Sequence, residues 1–417
     1  MRIAVVGGGI SGLVAANALS RGHEVVVFER DTRLGGHTNT IEVRESGRAI
    51  PVDTGFIVFN DRTYPNFIAL MNRLGVPSRQ SEMSFSVRCE RTGLEYNGTS
   101  VRSLFSQKRN AVSPAFLRMI AEILRFNREA PAAVGGEADQ TLGEYLSRGK
   151  YSRYFQEYYI VPMGAAIWSA PAAAMLSFPL RFFVSFFKNH GMLSVGDRPV
   201  WRTIVGGSNS YLKPLCEPFR DRALLGAEVT GIARAAESVR VRWRQDGAEE
   251  RADSFDHVVL ACHADQAARM LEDPSDAERD VLGAMPFQEN EAILHTDASV
   301  MPKRKLAWAA WNYHVPQTPT ERVSVTYNMN ILQGIDSERQ YCVTLNRADL
   351  IDPQKVIRRI TYHHPRYTLA GVAARARWAE ISGPRRTHYC GAYWLNGFHE
   401  DGVNSALRVC AALGESL

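Results

Sequence analysis

Residues 2–12 read Arg-Ile-Ala-Val-Val-Gly-Gly-Gly-Ile-Ser-Gly, and residues 24–29 read Glu-Val-Val-Val-Phe-Glu. The first five residues are a β-branched run. A helical stretch follows from Ser11 to about Arg21, Gly22 closes it, and the second apolar run ends in Glu29. Strand, glycine turn, helix and strand make one βαβ unit, which predicts parallel strands with a right-handed crossover in a doubly wound sheet. Gly7, Gly9 and Gly12 are in register with G-x-G-x-x-G. In that motif the first glycine permits the turn, the second lets a pyrophosphate approach the backbone, and the third lets helix and strand pack closely. The free N–H groups and positive dipole end of the helix opened by Ile10 and Ser11 face the phosphates. Glu29 stands where an acid takes two ribose hydroxyls.

A chain of 417 residues, 45% hydrophobic and 22% charged, has the composition of a globular protein of two or three domains. A formal net charge of +5 suits an anionic cofactor or an anionic membrane surface. With no Lys/Arg cluster interleaved with aromatics, it gives no support to nucleic-acid binding. Cys89, Cys216, Cys262, Cys342, Cys390 and Cys410 are scattered, with no metal-knuckle or C-x-x-C spacing, and read as reduced thiols. No secretory leader pattern and no apolar run long enough to span a bilayer is visible, so a cytoplasmic location is expected, peripheral to the inner membrane face if a bilayer is touched.

Outward from the first unit, Ile41–Val52 reads as a hairpin turning at Ser46-Gly47, residues 64–74 as a helix, and Met83–Tyr96 as alternating strands turning at Thr92-Gly93. Residues 100–190 are mostly helical and rich in aromatics, with a surface loop expected over Ala130–Gly136. Strands are expected at Ala227–Ala233, Ser238–Trp243 and Phe255–Ala261, and three or four more over 290–348. The chain closes on a strand at His388–Tyr393 and a helix at Gly402–Leu413.

NAD and FAD share the opening fingerprint, and other segments choose between them. Arg33-Leu34-Gly35-Gly36-His37-Thr38 follows the ribose acid. Asp53-Thr54-Gly55-Phe56, residues 162–169 (Pro-Met-Gly-Ala-Ala-Ile-Trp-Ser), residues 206–212 (Gly-Gly-Ser-Asn-Ser-Tyr-Leu), Glu228-Val229 and the stretch from Gly391 to Ser405 come later. Together these resemble the flavin-containing amine oxidoreductase superfamily of monoamine oxidase, phytoene desaturase and protoporphyrinogen oxidase, over nearly the whole chain. The resemblance implies non-covalent FAD. It implies contacts from Gly7, Gly9, Ile10, Ser11, Gly12, Glu29, Arg30, Gly35, Gly36, His37 and Thr38 at the first crossing. It places Gly55, Phe56 and Ile57 near the ring, Glu228 and Val229 at the adenine end, and Gly391, Glu400, Asp401, Gly402 and Val403 at the flavin end. Residues 52–60, Trp311-Asn312-Tyr313 and residues 397–402 are similar to a bacterial branch associated with modified fatty-acid enzymes, which implies a lipid acyl substrate.

The amine-oxidase pattern fails at informative places. The cage tyrosine falls at Phe398, and no lysine lies within Asn290–His295, the strand that would approach the flavin. Pocket candidates are Phe398, His295 and Tyr393. His295 and Asp297 share one strand face and read either as a proton relay or as a structural pair. Phe178, Phe182, Phe183, Phe186 and Phe187 form an aromatic helix surface that is either core, a substrate tunnel or a membrane face flanked by Arg181, Lys188 and His190. His363-His364 and His399-Glu400-Asp401 lack a recognised metal-ligand spacing, and the latter reads as a helix cap. No serine shows a His/Asp partnership, so hydrolase chemistry has no support.

The expectation is an α/β protein: a discontinuous Rossmann-like FAD domain (1–65, 200–270, 383–417) and an inserted α+β substrate domain (66–199, 271–382), with the flavin at their interface. Its expected work is FAD-dependent desaturation or dehydrogenation of a lipid acyl chain. An amine or polyamine oxidase and a non-catalytic FAD-binding redox protein are the alternatives. A nicotinamide-only dehydrogenase leaves the C-terminal motif unexplained.

Overall fold

The computed structural model describes residues 1–133, 140–194, 196–318 and 320–416. Strands at Arg2–Val6, Glu24–Phe28, Ala223–Leu224, His257–Leu260 and Thr387–Tyr389 form a wholly parallel sheet. In space the order is 223–224, 24–28, 2–6, 257–260, 387–389. The winding therefore reverses beside Arg2–Val6, and the crevice above the carboxyl end of that strand is the topological switch point where such sheets bind ligands.

The helix Ile10–Leu19 is buried along all ten residues. Only small side chains permit that on every face, and Gly12, Ala15, Ala16 and Ala18 supply them while Leu13 and Leu19 fill the core at 0% exposure. The last helix, His399–Ala412, packs on it. A Cβ on Gly402 would meet Ile10 Cγ2 at 2.7 Å, so glycine is needed where the two helices touch. This helix begins three residues before the expected Gly402, because the Asp401 carboxylate reaches back to accept the Phe398 N–H at 2.9 Å. The strand before it ends at Tyr389, short of the expected Tyr393, and a 3-10 turn (Ala392–Trp394) follows. The run expected as one strand over Phe255–Ala261 is divided: Arg251–Phe255 pairs antiparallel with Val239–Gln245, and only His257–Leu260 enters the parallel sheet. Asp256 makes the break, its carboxylate accepting the Arg2 N–H at 2.6 Å.

A second sheet of seven strands runs in the order Val356–Pro365, Phe287–His295, Cys342–Leu345, Val325–Asn328, Trp311–Val315, Phe85–Cys89, Glu95–Asn97. It is antiparallel except where Trp311–Val315 meets Phe85–Cys89. The helices Pro114–Ala133, Val161–Trp168 and Leu180–Asn189 share its core through Phe116, Met119, Phe126, Ala165 and Phe183. Of the expected loop over Ala130–Gly136, residues 130–133 complete the helix Pro114–Ala133, and 134–136 lie outside the described residues. The hairpin Thr40–Glu45 with Arg48–Asp53 turns at Ser46-Gly47 as its sequence requires, both with positive φ.

Two hydrophobic cores result. One surrounds the parallel sheet and also takes Val281, Leu282, Trp378 and Ile381, which lie outside the 200–270 and 383–417 segments. The other joins the large sheet to the helical layer. Phe398 packs against both.

Candidate active site

Between the two cores runs one cavity of about 1860 Å³. Ordinary small-molecule sites measure roughly 300–1,000 Å³, so this volume accommodates a dinucleotide and a second molecule beside it. One end lies at the switch point and is walled by Gly7, Gly8, Gly9, Ile10, Ser11, Glu29, Arg30, Glu228 and Val229. The middle carries Gly35, Gly36, His37, Gly55, Phe56, Ile57, Tyr362, His364, Gly391, Tyr393 and Phe398. The far end is mostly apolar, with Leu104, Ile120, Ile123, Leu124, Met163, Ile167 and Leu345, and it also carries Asn127 and Tyr159.

The glycine loop has the shape a pyrophosphate needs. A Cβ on Gly7, at φ +109°, would lie 2.8 Å from the Ala261 carbonyl, and one on Gly12 would lie 1.9 Å from the Gly7 carbonyl. Gly9 differs, because a Cβ there meets nothing within 4 Å and would project into the cavity. Glu29 accepts the Gly8 N–H at 2.6 Å through one carboxylate oxygen and the Asp31 N–H at 2.8 Å through the other. Burial raises its pKa against those two hydrogen bonds. A carboxylate has about four acceptor sites, so capacity remains for hydroxyls. Glu29→Ala is expected to raise the FAD dissociation constant about 10-fold or more, the cost of about 1.5–3 kcal/mol for hydrogen bonds to a charged group; fluorescence titration of apoprotein checks it.

The middle segment is held by polar contacts across the two cores. His37 stacks on Tyr362 at 4.8 Å and lies 5.2 Å from His364. The Tyr362 hydroxyl takes a hydrogen bond from Asn39 Nδ2 at 2.9 Å and pairs with Thr54 Oγ1 at 3.0 Å. Burial depresses the imidazoles, His37 to about 4 and His263 and His364 to about 3, so all three are neutral at pH 7. Among the described residues, His37 Nε2, the Tyr367 and Tyr393 hydroxyls and Trp311 Nε1 are buried on this wall without a hydrogen-bond partner. Such atoms are rare in folded proteins. They suit a ligand dense in carbonyl and ring-nitrogen acceptors, as an isoalloxazine is. The glycine cradle, the ribose acid and these donors fit FAD.

Several expected contacts act behind the wall. Thr38 bonds His399 Nε2 at 3.0 Å and also meets the Tyr211 hydroxyl, and His399 lies flat on Phe56 at 3.5 Å. Glu400 accepts the N–H groups of Asn66 at 3.1 Å and Phe67 at 2.8 Å, capping the helix Pro65–Arg73. Gly12, Glu400, Asp401, Gly402 and Val403 are not among the wall residues; they set the position of the chain that is. His295 is a correction to the pocket candidates. It is fully buried outside the cavity, where its Nδ1 accepts the Asp297 N–H at 3.0 Å and its Nε2 bonds Thr344 Oγ1 at 2.8 Å. It is a satisfied structural residue. Asp53 does more than its motif suggested. Wholly buried, it accepts from Thr40 Oγ1 at 2.6 Å, from the Ser208 N–H and Oγ at 2.8 Å each and from Gln333 Nε2 at 3.0 Å, tying three segments together. Tyr362 and His364 were missed as wall residues, although their i, i+2 spacing on one strand was visible.

The aromatic helix is core with one ring on the cavity. Phe178, Phe183, Phe186 and Phe187 are at most 4% exposed, and Phe186 stacks on Phe398 at 4.9 Å. Those rings present no membrane face.

The flavin containing amine oxidoreductase family model matches residues 10–329. The chain belongs to that family. Its cofactor is FAD. An L-amino-acid oxidase of Demansia vestigiata is 24% identical over 302 residues, covering 65% of this chain and 52% of its own length. The chain thus spans about half the length of the curated relatives it matches. Cyclohexylamine oxidase from Brevibacterium oxydans superposes with a TM-score of 0.70 at 15% identity, covering 99% of this chain and 98% of its own. A fatty acid isomerase from P. acnes superposes with a TM-score of 0.65 at 16% identity, covering 97% and 96%. These likenesses show the fold: an α/β protein of the FAD-dependent amine oxidase type.

Proposed function

We propose that the protein is an FAD-dependent oxidoreductase that desaturates or dehydrogenates an apolar substrate, a lipid acyl chain. The observation that carries this reading is the character of the cavity's far end. Among the described residues the wall includes no lysine, and three of its four acids, Glu29, Asp31 and Glu228, cluster at the dinucleotide end. The fourth, Glu82, is exposed at the rim. Burying a protonated amine without a counter-charge is costly, whereas an alkyl chain gains about 25 cal/mol for each Å² removed from water.

FAD supplies the two-electron acceptor. Gly7, Gly9 and the N-terminus of Ile10–Leu19 hold its pyrophosphate, Glu29 its ribose and the backbone at Glu228–Val229 its adenine end. His37, Gly55, Phe56, Ile57, Gly391 and Tyr393 hold the ring, with Phe398 and Phe186 orienting the substrate and excluding water. The cofactor unit comprises residues 1–65, 200–270 and 383–417 with the helices Asp276–Gly283 and Trp378–Ile381, and the remainder forms the substrate unit. Attachment is non-covalent. Cys262, the cysteine on the wall, lies beside Gly7 and its thiol is pushed up to about 12 by burial, which makes it a poor nucleophile. A substrate of this kind resides in a bilayer, and the protein meets it there.

An amine oxidase is the second reading, favoured by Glu82 at the rim and by the likeness to L-amino-acid oxidase and cyclohexylamine oxidase. Anaerobic titration of the flavin decides. Bleaching at 450 nm by fatty acids dispersed in detergent, with no response to primary amines or polyamines, is the expected result. Bleaching by amines alone sinks the acyl reading, and a flavin that responds to neither leaves a non-catalytic redox protein.

A further inference from the structure

We propose that residues 101–128 form a docking surface for an anionic lipid bilayer and set the mouth of the cavity against it. The proposal rests on the acyl-substrate reading above. Among the described residues eleven large apolar side chains are exposed, and four of them fall in this short segment: Val101 at 75%, Val112 at 80%, Leu117 at 44% and Leu124 at 53%. Leu117, Ala121, Leu124 and Arg128 follow at intervals of four, three and four and so share one face of the helix Pro114–Ala133. Leu124 is both exposed and part of the cavity wall, beside Leu104, Ile120 and Ile123. The apolar strip thus continues from the surface into the substrate end of the cavity.

The charge around it points to one partner. The segment holds six cations, Arg102, Lys108, Arg109, Arg118, Arg125 and Arg128, and one acid, Glu122. Just past the segment, Glu129 pairs with Arg128 at 3.0 Å and with Arg125 at 4.0 Å. Glu122 is buried and engaged by Arg118 at 3.1 Å and by the Ser152 N–H at 3.0 Å. Arg102 and Lys108 are exposed and make no ion pair among the described residues. Exposed apolar side chains flanked along the chain by these two unpaired cations match the interface of a bilayer with anionic headgroups, where the first enter the acyl boundary and the second meet phosphates. A protein partner or a second copy of this chain would have to bring a matching acidic surface.

The test is sedimentation of the holoenzyme with vesicles of phosphatidylcholine alone or with phosphatidylglycerol added. Binding is expected only with phosphatidylglycerol, weakening as salt is raised. Val112→Asp with Leu117→Asp, and separately Arg102→Glu with Lys108→Glu, should lower the bound fraction constant by about tenfold or more. The flavin spectrum and bleaching by detergent-dispersed fatty acid should be unchanged. Equal binding to both vesicle types, no binding, or variants that bind like the parent overturn the proposal, as does light scattering that shows a dimer which Leu117→Asp dissociates. Bleaching by dispersed fatty acid without vesicle binding sinks the docking surface and leaves the substrate reading standing. Vesicle binding without bleaching does the reverse.

Discussion

Gly9→Val protein is expected to fold and to purify without flavin. The backbone at Gly9 is extended, with φ −78° and ψ 177°, a conformation valine adopts without strain. A Cβ there meets no protein atom within 4 Å, so the apoprotein has room for it. The room lies in the cavity at the N-terminus of Ile10–Leu19, where the pyrophosphate comes closest to the backbone. Two isopropyl methyl groups in that space keep the phosphates from the N–H groups that should receive them. Two lost hydrogen bonds to a charged group, at about 1.5–3 kcal/mol each, amount to a 100-fold or greater loss of affinity. The ratio of absorbance at 450 to 280 nm should fall to near zero while the apoprotein melts within about 2 °C of flavin-stripped parent. Gly12→Val provides the contrast. Its Cβ would sit 1.9 Å from the Gly7 carbonyl and 3.1 Å from Ala261 Cβ, so the helix must move off the sheet and folding itself should suffer. If Gly9→Val keeps its flavin, the pyrophosphate is not at this loop.

The contrast between these two glycines also marks what could be read in the sequence. The opening βαβ unit was legible because its contacts are local and its geometry forces residue types: Gly7 needs a positive φ, and the buried helix needs small side chains on every face. The C-terminal motif was legible as a segment but not residue by residue. Glu400 resembles a flavin contact in its motif, yet its carboxylate caps a helix that begins at Pro65, a partner 333 residues away along the chain. His295 failed for the same reason. Alternation along its strand fixes a face, and only the pairing of that strand with Cys342–Leu345 shows that the face meets Thr344 instead of the cavity. The apolar chamber was the least legible part, because Leu104, Ile123, Met163 and Leu345 come from four separate elements and converge only in the folded chain.

Acidification is expected to unfold this protein well above the pH at which carboxylates ordinarily titrate. Burial holds His37, His190, His295 and His388 at about 4, His263, His314 and His364 at about 3, and His399 well below its ordinary value. In the unfolded chain the same imidazoles take a proton near pH 6.5. A depressed folded pKa means that the unfolded state binds more protons as pH falls, so stability is complete above about 6.5 and is lost progressively below it, by up to ~1.4 kcal/mol per pH unit for each imidazole. Three carboxyls oppose this, Glu29 among them, its pKa raised by burial. Asp53 and Asp401 are both raised to about 6 by burial, and each favours the folded state as pH falls from about 6 toward its unfolded value near 4. With His257 also lowered by burial, nine imidazoles against three carboxyls decide the sign, and the imidazoles also begin to act at higher pH. The melting midpoint should fall by about 10 °C or more between pH 7.5 and 5.5, with flavin released at the same transition. His295→Gln removes one buried imidazole that does not touch the cavity, so its variant should lose less stability over that interval than the parent even if it starts lower. A midpoint that is flat or rises toward pH 5.5 would mean that these histidines are not buried and neutral as packed here, and the stacked His37, Tyr362 and His364 wall beside the cavity would have to be redrawn with them.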